Sequence, residues 1–73
     1  MKSERLVTMA NQIGAFFVGQ RHADPAAKVA EHLVKFWDPR MRAGIVAHLK
    51  SGGAGLDPVV RQAVESLAEA KCA

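Results

Sequence analysis

The chain has 73 residues and a mass of 7.8 kDa, of which 49% are hydrophobic and 23% charged, with a formal net charge of +3 and a single cysteine. A chain this short has room for one domain, 1–73, and buries only about 60% of the surface its unfolded form exposes, so its core is marginal and needs support from other devices. Disulfides are excluded as that support, because Cys72 has no second cysteine to meet, and a lone thiol fits a reducing compartment.

Charge and hydropathy exclude more. Residues 1–23 and 24–51 each carry a surplus of two positive charges, and residues 52–73 one excess negative charge. This mild, dispersed basicity serves solubility better than it serves nucleic-acid binding. No apolar run approaches the about 18 residues a membrane span needs. The basic Lys2 and Arg5 are followed by no leader-like apolar segment, because Asn11, Gln12 and Gly14 break the pattern. A cytoplasmic protein with no membrane partner is expected.

The first element is predicted over residues 4–18. Leu6, Met9, Ala10, Ile13, Phe16 and Phe17 recur at the spacing of one helix face, with Ser3 suited to cap the start and Gly19 the stop. Gly14 in the interior costs about 1 kcal/mol relative to Ala, which a close helix approach or a backbone contact would offset.

Three Asp-Pro pairs, Asp24-Pro25, Asp38-Pro39 and Asp57-Pro58, punctuate the rest. An Asp side chain accepts from the free N–H groups of a first helical turn, proline lacks the donor that would be orphaned there, and the residue before proline is pushed out of the α region. Each pair therefore predicts a helix start. The second helix is placed at 25–37, with Val29, Ala30, Leu33 and Phe36 on one stripe and Ala26, Val34 and Trp37 beside it. The third follows without a linker at 39–51, with Met41, Ile45 and Leu49 inward and Val46 adjacent, which makes Trp37-Asp38-Pro39 a sharp corner. Lys50-Ser51-Gly52-Gly53-Ala54-Gly55 reads as its stop and a flexible loop. The fourth helix, 58–70, carries Val60, Ala63, Val64 and Leu67. No period-two stretch and no internal repeat is evident. The fold class is all-α, a small bundle of four short helices, none long enough to persist alone in water.

No catalytic or metal constellation emerges. His22, His32 and His48 have no partner ligand at i+3 or i+4, and His32 falls on a boundary face; no nucleophile-base set is present. The glycine-rich loop lacks the Lys-Ser/Thr of a phosphate loop and has no strand before it. What stands out is the run His32–Arg42. Lys35, Arg40 and Arg42 beside Phe36 and Trp37 suit either a small basic nucleic-acid-binding module or a protein-docking edge, since interfaces are enriched in Trp, Phe, Met and Arg. A DNA-reading helix-turn-helix wants three or four residues between its helices, which argues against nucleic acid. Docking is favoured with Phe36 pointing in and Trp37 out, and exposed Trp37 and Phe17 would favour a homodimer when the chain is isolated.

Met9-Ala10-Asn11-Gln12-Ile13-Gly14 with Phe16-Phe17, His32-Leu33, Phe36-Trp37-Asp38-Pro39-Arg40-Met41-Arg42, His48-Leu49, and Gly55-Leu56 with Pro58 and Val60 together resemble the delta subunit of soluble NAD-dependent, molybdenum-containing formate dehydrogenases. The resemblance runs from about Leu6 to Leu67 and is most specific in the Phe-Trp-Asp-Pro-Arg-Met-Arg run. It implies a non-catalytic accessory subunit without a cofactor of its own. The alpha subunit would hold bis-molybdopterin guanine dinucleotide and iron-sulfur clusters, and the other subunits FMN and further clusters. Assembly, stability or cofactor insertion is the implied role. The expected contacts with the alpha subunit are Phe36, Trp37, Arg40, Met41 and Arg42, with Asn11, Gln12 and Phe16 as a second set. Arg40 and Arg42 are expected to pair with carboxylates, carbonyls or cofactor phosphates.

Overall fold

Three helices of this protein begin at a proline, and the residue before each proline opens the helix. The computed structural model describes residues 3–72, with side chains through Glu69. Within them lie α1 (Ser3–Gly19), α2 (Pro25–Phe36), α3 (Pro39–Lys50) and α4 (Pro58–Cys72), and no strand. The chain is an all-α bundle of four short helices. The Asp24 carboxylate accepts from Ala27 N–H at 3.1 Å and that of Asp38 from Met41 N–H at 2.8 Å, each satisfying a donor of a first turn. At all three starts the aspartate carbonyl accepts the first helical bond, from Lys28, Arg42 and Arg61. Ser3 is itself helical rather than a cap outside the helix, and the Cys72 thiol lies outside the described side chains.

One buried cluster joins the four helices. Leu6, Val7 and Ala10 come from α1, Val29 and Leu33 from α2, Ile45 and Val46 from α3, and Val60, Ala63, Val64 and Leu67 from α4. Packing is uneven: α2 lies chiefly against α4, α1 touches all three others, and α2 and α3 scarcely meet despite following one another. The corner thus splays two helices apart, and α4 fills the space between them. The radius of gyration, 11.0 Å, is about what a compact chain of this length gives. Gly14 lets α1 and α4 approach: a Cβ there would stand 2.5 Å from Val60 Cγ2, so the glycine predicted to permit a close helix approach does so.

The end of α3 supplies the second use of glycine. Gly52 N–H donates to Leu49 O and Gly53 N–H to His48 O, both at 3.0 Å, which is the paired bonding of a Schellman stop with Gly52 at φ 122°. The loop that follows is held rather than flexible. Arg61 Nη2 donates to Gly52 O at 2.9 Å and Gly53 O at 3.2 Å, His48 Nε2 lies 2.7 Å from Ala54 O, and Asn11 Nδ2 donates to Gly55 O at 2.8 Å. Four successive carbonyls are thereby taken. At the end of α1 the left-handed position falls on Arg21 (φ 56°), not on Gly19.

Candidate docking site

The corner between α2 and α3 reverses the expected orientation of its two aromatics. Trp37 is buried, 6% exposed, and Phe36 is 70% exposed. By helical period Phe36 does share the stripe of Val29 and Leu33, but the helix stops there. Trp37 is extended (φ −90°, ψ 140°), as is Asp38 before its proline (φ −74°, ψ 166°), so period 3.6 no longer governs where Trp37 points. The indole turns into the core, and the Phe36 ring is left against His32 at a centroid distance of 4.6 Å. An outward Trp37 is therefore corrected to an inward one. With it goes the argument for self-association through an exposed Trp37.

Arg42 is engaged within the chain. Its Nη1 donates to Val34 O at 3.0 Å and to Trp37 O, so a side chain of α3 covers carbonyls that the end of α2 leaves without helical partners. Replacing Arg42 by Ala should lower the midpoint of thermal unfolding by several degrees. Hydrogen bonds from a charged donor contribute about 1.5–3 kcal/mol, and 1 kcal/mol moves the midpoint of so small a domain by about 4–8 °C. Lysine, without the planar fork, should restore only part of the loss; full restoration would show that charge alone matters.

Asn11 has a similar internal role. Besides reaching Gly55 O, its Oδ1 accepts from Asp57 N–H at 3.1 Å, so one amide ties α1 to the start of α4. Arg40 and Met41 line a small cavity with Leu6, Asp38 and Gly44, away from the aromatic groove.

The remaining predicted contacts come together. Gln12, Phe16, Phe36 and the edge of Trp37 line one open groove between α1 and α2, with a volume of about 420 Å³. Met9, Ile13, Phe17 and His32 complete its walls. Phe16 is 59% exposed and meets Phe17 edge to face at 5.3 Å; Phe17 in turn meets His32 at 6.0 Å and His22 at 5.5 Å. Rings thus run continuously from Phe16 to Phe36, in the offset and edge geometries that aromatic quadrupoles favour. The α1 wall is legible as an i, i+4 stripe, Met9, Ile13 and Phe17, although period alone does not show that it faces a groove. His32 was placed correctly at a boundary, although its stacking on Phe36 needs only the i+4 spacing to foresee.

Charge around this groove is uneven. Lys35 and Glu31 form an exposed i, i+4 pair at 3.1 Å. The hydrogen bond from Lys35, then the charges of Lys35 and Lys28, hold the Glu31 carboxyl below its ordinary range. The pair's contribution is present above the ordinary glutamate range and is lost as pH falls through the lowered one. On another side, Asp24, Gln62, Glu65, Ser66 and Glu69 line a polar cavity between the start of α2 and α4. Among the described residues, no three His, Cys, Asp or Glu side chains are grouped as metal ligands, and no helix is long and apolar enough to cross a membrane.

No significant match was found among curated proteins or solved structures. A family model described as NADH-dependant formate dehydrogenase delta subunit FdsD matches residues 5–64, which include all of α2 and α3, the corner between them, and both walls of the groove. The chain belongs to the FdsD family of formate dehydrogenase delta subunits.

Proposed function

We propose that this protein is a non-catalytic accessory subunit that docks on the molybdenum-containing alpha subunit of its formate dehydrogenase through the groove between α1 and α2, and so supports assembly, stability or cofactor insertion. The observation that carries this reading is the exposure of Phe36 and Phe16 along a continuous line of rings. A small domain that must bury apolar surface to fold at all gains nothing from leaving two phenylalanines in water, and such rings at an open groove are the usual anchors of a protein interface. In this reading the bis-molybdopterin guanine dinucleotide, the iron-sulfur clusters and FMN belong to the partner subunits, the complex is cytoplasmic, and this chain contributes no catalytic group.

The site differs from the corner first expected. Phe36, Phe16 and Gln12 face the partner, Trp37 supports them from beneath, and Asn11 and Arg42 hold the helices that carry them. Arg40 and Met41 lie outside this contact. The nucleic-acid alternative loses support, since two of its three basic residues, Lys35 and Arg42, have partners within the chain.

Changing Phe16 and Phe36 to Ser should leave the helical circular dichroism intact and reduce recovery of the catalytic subunit in co-purification at least tenfold. Anchors of this kind contribute about 2 kcal/mol or more each when truncated. Undiminished recovery with a folded variant would remove the groove from the interface.

A further inference from the structure

The charge pattern around the groove narrows what can occupy it, on the reading that the groove is the docking site. Arg5 shares the face of α1 that carries Met9, Gln12 and Phe16, at spacings of four, seven and eleven residues, and is exposed. On α2, Lys28 lies one turn before His32 and Lys35 is the last residue but one, both exposed and both flanking the aromatic wall. The single acid between them, Glu31, is already bound to Lys35. Asp38 and Arg40 together line the smaller cavity at the start of α3. The acids Asp24, Glu65 and Glu69 collect at a different cavity. An apolar floor with a basic rim on both helices is what remains.

We infer that the groove receives an amphipathic helix of the catalytic subunit whose apolar stripe is flanked by Asp and Glu. The apolar wall runs from Met9 to Phe17 on α1, which at 1.5 Å per residue is about 12 Å, enough for anchors at i, i+3 or i+4, and i+7 of one helix. A second copy of this chain fits worse. A two-fold contact sets the same surface against itself, so Arg5 and Lys28 of one copy would confront those of the other, with Glu4 and the already paired Glu31 as the acids on the same two helices. A heterologous helix with acidic flanks has no such repulsion, and the opposed charges speed its encounter.

The test uses the full-length chain and the catalytic subunit as the probe, with affinity measured at about 50 and about 300 mM salt, a range over which screening of surface charge rises strongly. The wild type should bind more weakly at the higher salt. Arg5→Glu with Lys28→Glu should lose at least tenfold in affinity at low salt and most of the salt dependence, while Arg5→Gln with Lys28→Gln falls between; circular dichroism of all three should coincide. If the Phe16→Ser, Phe36→Ser variant fails to bind but charge reversal and salt change nothing, the groove is the site and the acidic helix is wrong. If neither pair of changes affects binding, the groove reading itself falls. A dimer of the isolated chain in sedimentation that is abolished by Phe16→Ser, Phe36→Ser and insensitive to Arg5→Glu, Lys28→Glu would make a second copy the occupant and overturn the inference.

Discussion

Replacing Trp37 by Ala should destabilise the protein by about 3–5 kcal/mol, the range for deleting a buried large aromatic, and in a domain of this size that is enough to unfold much of the population at 25 °C. The reason is position. The indole belongs to the buried core and sits at the junction where α2 and α3 barely touch. Its neighbour in sequence should behave in the opposite way. Phe36→Ala removes a ring that is already mostly in water, so its effect on stability should stay within about 0.5 kcal/mol, as for surface substitutions generally. Urea unfolding of the two variants, followed by circular dichroism, separates them directly. Equal losses of stability would mean that the two orientations are not as described.

Gly14→Ala should destabilise by about 1–3 kcal/mol, even though alanine gains about 1 kcal/mol over glycine in helix propensity. The new methyl would sit 2.5 Å from Val60 Cγ2, closer than carbons pack. Val60 has little room to step aside, because it is β-branched and fully buried. The strain must therefore pass to the spacing of α1 and α4, and through α4 to α2, its main partner. The same change at Gly19, where nothing lies within 4 Å of the new methyl, should instead stabilise by about 0.5 kcal/mol. Denaturant midpoints of the pair provide the check. A stabilising Gly14→Ala would show that the two helices can separate at little cost.

Much of the fold was legible because its punctuation is local. An Asp-Pro pair fixes a helix start within a few residues through hydrogen-bond accounting, and Gly52 is the residue a Schellman stop needs at its left-handed position. The stripe Leu6, Ala10, Val29, Leu33, Ile45, Val60, Val64 followed from period alone. The site was less legible for an equally physical reason. Period tells which residues share a face only inside a helix, and Trp37 is the first residue outside one. Arg42 and Asn11 looked available because a sequence does not show which carbonyls a neighbouring helix end leaves bare. Arg42 satisfies such a carbonyl across eight residues, and Asn11 a carbonyl of the α3–α4 loop across forty-four. A signal for the first was present. A basic residue stands three places after each of the three prolines, at Lys28, Arg42 and Arg61, and two of these reach back to the preceding helix end or its loop.

That backward reach ties the stability of the α2–α3 and α3–α4 junctions to the element after each. The carbonyls ending α2 acquire Arg42 only once the first turn of α3 exists, and those following α3 acquire Arg61 only once α4 has begun. Neither α2 nor α3 therefore frays at its C-terminus without drawing on its successor. Local opening, which elsewhere runs inward from loose ends, is coupled here to the loss of whole neighbouring segments. For a chain with a marginal core, this makes unfolding more nearly all-or-none without adding buried surface.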